Sequence, residues 1–209
     1  MRFSKAFICS ALILGFFVFE AAAQAKEKIA SGDYGSLIIG IDAENSLTGY
    51  FNEATGIDEK GNASFTCSFF ISGASDGKGG FDIRTWYPED PDEVVEGVLR
   101  RSDSGSAINI KLEGEHGGCW NVAPDLKDES GLDFTLTKKG DWIAVRVVSS
   151  KRVYLFKSID AGAPQKIFVE NGEVVQVLET HGDWAKIKFV SPGGRSAYGW
   201  MKKSEFYGL

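Results

Sequence analysis

His116-Gly117-Gly118-Cys119-Trp120 sets an imidazole three residues before a thiol, the two groups from which a thiolate nucleophile and its base are built. The surroundings argue against that use. Cys119 falls in a glycine turn rather than at the start of a helix, and a nucleophilic cysteine needs its base held across the site. The second histidine, His181, belongs to a different part of the chain. Two histidines and a paired cysteine cannot close a structural zinc site without carboxylates. Asp125, Asp128, Glu129 and Asp133 lack the alternating spacing and the glycine of a calcium loop, and read as a solvated acidic loop. Residues 73–80 are rich in glycine, but Lys78 is followed by Gly79 rather than Ser or Thr, which makes a hairpin tip instead of a phosphate loop. Carboxylate pairs for glycoside hydrolysis exist in any acidic barrel, and no pair is singled out. The expectation is a chain with no catalytic residue, no metal and no cofactor.

The elements that carry these groups have a period of two. Leu37, Ile39 and Ile41 alternate with Ser36, Ile38 and Gly40, and Phe65, Cys67, Phe69 and Ile71 take the opposite face to Thr66, Ser68 and Phe70. The alternation returns in residues 81–87, 108–112, 132–136 and 143–147, separated by Gly, Pro, Asp and Ser clusters. Residues 91–101 have helical spacing at Val94, Val95, Val98 and Leu99, yet Gly97 in their middle favours a strand. Short strands without crossover helices predict an all-β chain, with an antiparallel barrel or sandwich over residues 26–150 that the strands 132–136 and 143–147 close. Its pattern resembles the calycin and lipocalin barrels in general architecture only.

The first 25 residues form a secretory signal peptide. Arg2 and Lys5 precede an apolar run from Ala6 to Phe19, and small residues follow at cleavage spacing, with cleavage after Ala23 or Ala25. The run is too short to span a bilayer, so no membrane insertion is expected after cleavage. The destination is the periplasm or the exterior, where Cys67 and Cys119 are expected to pair as a disulfide. Past the signal, 21 basic residues face 28 acidic ones, a net charge of −7. That balance lacks the basic stripe of a nucleic-acid binder.

In the last third, Gly182-Asp183-Trp184 and Tyr198-Gly199-Trp200 bracket a hairpin with a Gly193-Gly194-Arg195 tip, after strands at 153–156 and 173–178. This order resembles the bacterial SH3-like domain family over residues 151–209. The resemblance implies a small barrel, often appended to exported cell-wall proteins, that binds peptidoglycan, peptides or partner proteins. It assigns structural roles to Gly182, Trp184, Gly199 and Trp200, with both tryptophans filling the barrel. It leaves Tyr154, Lys157, Asp160, His181 and Tyr198 as candidate ligand-binding residues. In the first unit, Phe70 and Trp86 are further candidates, because they stand at the opposite phase to Phe69 and Ile83. The expected function is an exported, non-catalytic protein that recognises a cell-wall component or an envelope protein. An inhibitor or immunity-type protein that blocks a cell-wall hydrolase is the alternative, and an envelope hydrolase with an unrecognised active site the third.

Overall fold

A computed structural model describes residues 28–87, 90–102, 107–191 and 193–208, and the expected signal peptide lies outside them. The chain is all-β, and its first nine strands form one curled antiparallel half-barrel. These are β1 (Gly32–Asp33), β2 (Leu37–Ile41), β3 (Ser46–Thr55), β4 (Phe65–Ser75), β5 (Phe81–Trp86), β6 (Val94–Arg101), β7 (Ala107–Leu112), β8 (Leu132–Thr135) and β9 (Lys138–Lys139). Strands one to eight pair in sequence order, and β9 pairs with β1 at the far edge. Only Leu136 and Thr137 separate β8 from β9, and three Cα steps cover at most ~11 Å. The sheet must therefore curl until its edges nearly meet. Thr137 helps to hold them, its backbone N–H donating to the Asp33 carbonyl at 2.8 Å.

Alternation sorts the side chains. Leu37, Ile39, Leu47, Phe51, Phe69, Ile71, Ile83, Leu99 and Ile110 point inward and are almost wholly buried. Phe51 stacks on Phe69 at 4.8 Å and meets Phe134 edge-on at 5.8 Å, so large rings fill the interior. The connection between β7 and β8 plugs one end, with Cys119, Ala123 and Leu126 buried in the same core. Cys119 lies in the short 3-10 turn Cys119–Asn121 and is bonded to Cys67 on β4, their Cα atoms 4.6 Å apart. Residues 94–101 form a strand, as Gly97 suggests: a Cβ there would come within 2.4 Å of the Lys111 carbonyl oxygen on β7.

Of the two strands expected to close this barrel, 132–136 belongs to it as β8 and 143–147 does not. β10 (Ala144–Val147) pairs with β13 (Val174–His181), which continues through β14 (Trp184–Val190) to β15 (Ser196–Lys202). A two-stranded ribbon of β11 (Arg152–Tyr154) and β12 (Phe168–Glu170) completes the second unit. Val148, Leu155, Val169, Val175, Ala185, Ile187 and Met201 make its core. β10 instead lies across the outer face of the first sheet. Trp142, just before it, donates its indole N–H to the Ile39 carbonyl at 2.8 Å, and the Val145 N–H donates to Thr48 Oγ1 at 2.9 Å. Gly40 makes this crossing possible, since a Cβ there would sit 2.6 Å from Ala144 Cα. The backbone edge of β10 is left for β13, which explains the change of sheet.

Candidate functional site

The pleat of the second sheet sends Ala185, Ile187 and Met201 inward, so the residues between them must face out. Those residues are Trp184, Lys186 and Lys188 on β14 and Tyr198, Trp200 and Lys202 on β15. The register is Trp184↔Lys202, Lys186↔Trp200 and Lys188↔Tyr198, which sets every aromatic ring opposite a lysine. Lys202 Nζ lies 4.1 Å from the centre of the Trp184 ring, and Lys186 Nζ lies 5.9 Å from that of Trp200. Each such contact at an exposed site is worth about 0.5–1 kcal/mol. Phe156, bridged to Trp200, meets Trp184 edge-on at 5.3 Å. The two tryptophans therefore do not fill the small barrel. They are half-buried on its outer face because each sits one residue out of phase with the core.

A groove of about 440 Å³ runs along the side of this face, between the second sheet and the first. Lys188 reaches into it, 5.8 Å from the ring of Trp142. Gln176, paired with Lys188 across the strands, also lines it, and its side-chain carbonyl oxygen is buried with no hydrogen-bond partner among the described residues. Partly exposed aromatic rings and flanking ammonium groups suit a ligand with flat or ring-shaped units and negative charge.

A scan against protein-family models, a search of curated proteins and a search of solved structures each return no match. The charge distribution adds weight to the face. Residues 151–209 carry nine Lys and Arg against six Asp and Glu, whereas residues 26–150 carry twelve against 22. An acidic chain thus presents a cationic second unit.

The candidates read from sequence fall in different places. Tyr198 is half-exposed on the face, at the Lys188 end, and exposed His181 stands opposite Trp184 at the other. Tyr154 is exposed on the ribbon, edge-on to Phe168 at 5.7 Å, with Arg152 stacked 4.3 Å over the same Phe168 ring. Lys157 and Asp160 are exposed in the loop between β11 and β12, and no hydrogen bond or ion pair joins them to the face among the described residues. Phe70 and Trp86 are neither lumen-facing nor exposed. They are buried where the two units meet, packed with Val147, Val174 and Tyr207, and the space beside them is about 10 Å³. The second unit covers them, so they hold the units together and leave no room for a ligand. Gly182 takes a left-handed φ of 53° in the β13–β14 turn. Gly199 lies where a Cβ would be 2.6 Å from that of Leu155. The three face lysines went unnoticed in the sequence, although Trp184, Lys186 and Lys188, like Tyr198, Trp200 and Lys202, stand at strict period two.

Cys119 offers no free thiol, being bonded to Cys67. His116 is buried beside Phe69 and Tyr87, with ring centres 5.1 and 4.9 Å away. Thr85 gives its only hydroxyl proton to the Val95 carbonyl, so it accepts from His116 Nε2 at 2.7 Å. Nδ1 is then a bare lone pair with no partner among the described residues. Burial pushes the His116 pKa down to about 4, so the ring is neutral near pH 7. Among the described residues no group of three or more His, Cys, Asp or Glu side chains could hold a metal ion, and no helix is long and apolar enough to cross a membrane.

Proposed function

We propose that this is an exported, non-catalytic binding protein of the bacterial envelope, and that its second unit is a bacterial SH3-like module that recognises peptidoglycan. The observation that carries this reading is the alternating tryptophan, tyrosine and lysine face on β14 and β15. Sugar rings stack on indole and phenol faces, while the lysines meet the carboxylates of glycan and stem peptide. Its location on two rigid, paired strands preorganises the contacts and lowers the entropic cost of binding. The test is retention of the mature protein on purified insoluble peptidoglycan. The wild type is expected to sediment with the polymer, and Trp184→Ala/Trp200→Ala to remain in the supernatant while unfolding at a similar temperature. Equal retention of both proteins, or none of either, would count against the proposal.

A second reading rests on the acidic first unit, whose 22 carboxylates against twelve basic residues suit docking onto a basic cell-wall hydrolase. Inhibition of such an enzyme that fades with added salt, and that is indifferent to the tryptophan substitutions, would favour this reading over the first.

A further inference from the structure

We infer that the cleft between the two units is a second binding site, built for a small zwitterion such as an amino acid or a dipeptide. A pocket of about 490 Å³ opens there, within the range of roughly 300–1,000 Å³ usual for small-ligand sites, which often lie where domains meet. Its apolar walls come from Ile143 and Ala144 where β10 begins, Val177 on β13, and Phe206 and Tyr207 beyond β15. Arg146 on β10 and Asp42 in the β2–β3 turn line the same pocket. Both also line a hollow of about 770 Å³ that continues over the outer face of the first sheet, so the two charges stand where the hollows adjoin.

Arg146 is partly buried, yet its guanidinium makes no hydrogen bond or ion pair among the described residues. Burial pushes its pKa down, while the charge of Asp42 acts the other way from beyond ion-pair reach. A guanidinium stays protonated through such a shift. A positive charge partly withdrawn from water is thus left without a direct partner, an unfavourable state that a carboxylate relieves with two parallel hydrogen bonds. Asp42 is held in its own turn instead, where its Oδ1 accepts the Ser46 backbone N–H at 2.8 Å. Exposed Glu44 and Lys203 add one more charge of each sign to the lining.

Opposite charges held apart beside an apolar wall select their complement. A ligand carboxylate pairs with Arg146 and its ammonium with Asp42, while an apolar side chain packs against Phe206 and Ile143. A simple anion would satisfy Arg146 but meet Asp42 and Glu44 as like charges, and a simple cation would meet Arg146 and Lys203 in the same way. The lining carries two acids and two bases, so net charge favours neither. None of the tryptophans or lysines of β14 and β15 lines this pocket, which sets it apart from the aromatic face.

The experiment titrates the mature protein with alanyl-phenylalanine in a calorimeter, at neutral pH and low ionic strength. Saturable binding with a Kd of roughly 1 mM or tighter is expected. The C-terminal amide of the dipeptide, which lacks the carboxylate, and its N-acetyl form, which lacks the ammonium, should each bind roughly tenfold more weakly or worse. Arg146→Gln and Asp42→Asn should each weaken the parent dipeptide by a similar factor. Trp184→Ala/Trp200→Ala should leave it unchanged, which separates the cleft from the peptidoglycan face. The blocked dipeptides are measured on the wild-type protein, so the test stands even where a variant fails to fold. The inference is overturned by the absence of saturable binding, by equal binding of either blocked dipeptide, or by binding that is lost in the tryptophan variant. Binding that survives Arg146→Gln or Asp42→Asn, in proteins that unfold at the wild-type temperature, overturns it as well.

Discussion

Lowering the pH should destabilise the protein through one residue, His116. In the unfolded chain its imidazole takes a proton near pH 6.5, but in the fold burial holds the pKa down to about 4. Its surroundings offer the cation nothing. Phe69 and Tyr87 pack against the ring, Thr85 can only accept at Nε2, and Nδ1 faces no partner among the described residues. The Tyr87 phenol is itself pushed up by burial and by Glu93, so it stays neutral throughout this range. Between pH 4 and 6.5 the unfolded state binds more protons than the folded one, so stability rises with pH there. The contribution is fully present above about pH 6.5 and is lost as the pH falls through the window. Each pKa unit is worth 1.36 kcal/mol, which gives a loss of about 3 kcal/mol across it. With a urea slope of about 1–3 kcal/mol per molar, the unfolding midpoint should drop by roughly 1–3 M from this group alone. The assay is urea unfolding followed by tryptophan fluorescence at pH 4.5, 5.5 and 7.5 for the wild type and His116→Phe. The variant keeps a ring against Phe69 but has nothing to protonate. Asp58 and Asp76, both held below the usual carboxylate range by hydrogen bonds from their own turns, are unaltered, and their contribution cancels between the two proteins. The wild type should lose ground to the variant steadily as the pH falls. Parallel curves for the two proteins, or a His116 imidazole seen by NMR to titrate near 6.5, would refute the reasoning.

Other outcomes follow from the packing. Replacing Cys67 and Cys119 by serine opens a loop with a sequence separation of 52 and should cost about 4 kcal/mol in the chain-entropy treatment, measured by urea unfolding of the variant against the oxidised protein. Trp86→Ala should cost about 3–5 kcal/mol, because the side chain is buried between the units, and should expose a dye-binding apolar surface there. Gly40→Val places its side chain against the Ala144 backbone, and a loss of about 1–3 kcal/mol in thermal unfolding is expected. Ile187→Ala in the second core should cost about 2–5 kcal/mol, whereas Lys188→Ala on the outer face should leave the melting temperature nearly unchanged.

Local pattern alone carried much of the fold. Period-two runs determine strands because a half-buried sheet needs one apolar face, and Gly97 steers residues 94–101 away from the helix their valines would otherwise allow. Cys67 lies at a core phase of its strand, and the pairing with Cys119 expected from the sequence is the one in the structure. The strands that hold the candidate site could also be read in this way, and so could its aromatic residues. What the sequence could not supply was which side of a strand meets which neighbour. Trp184 and Trp200 look like core residues by type, but the core phase belongs to Ala185, Ile187 and Met201, and the tryptophans are turned out beside lysines. Phe70 and Trp86 stand on the outer phase of their strands, and only the docking of the second unit makes that phase an interior. The partner of residues 144–147 is likewise set at a distance, by the glycine at position 40 that admits their backbone and by the free edge of β13. Periodicity is a property of neighbouring residues, so the sequence determines it directly; burial and pairing depend on surfaces brought together from afar, and the tertiary structure alone decides them.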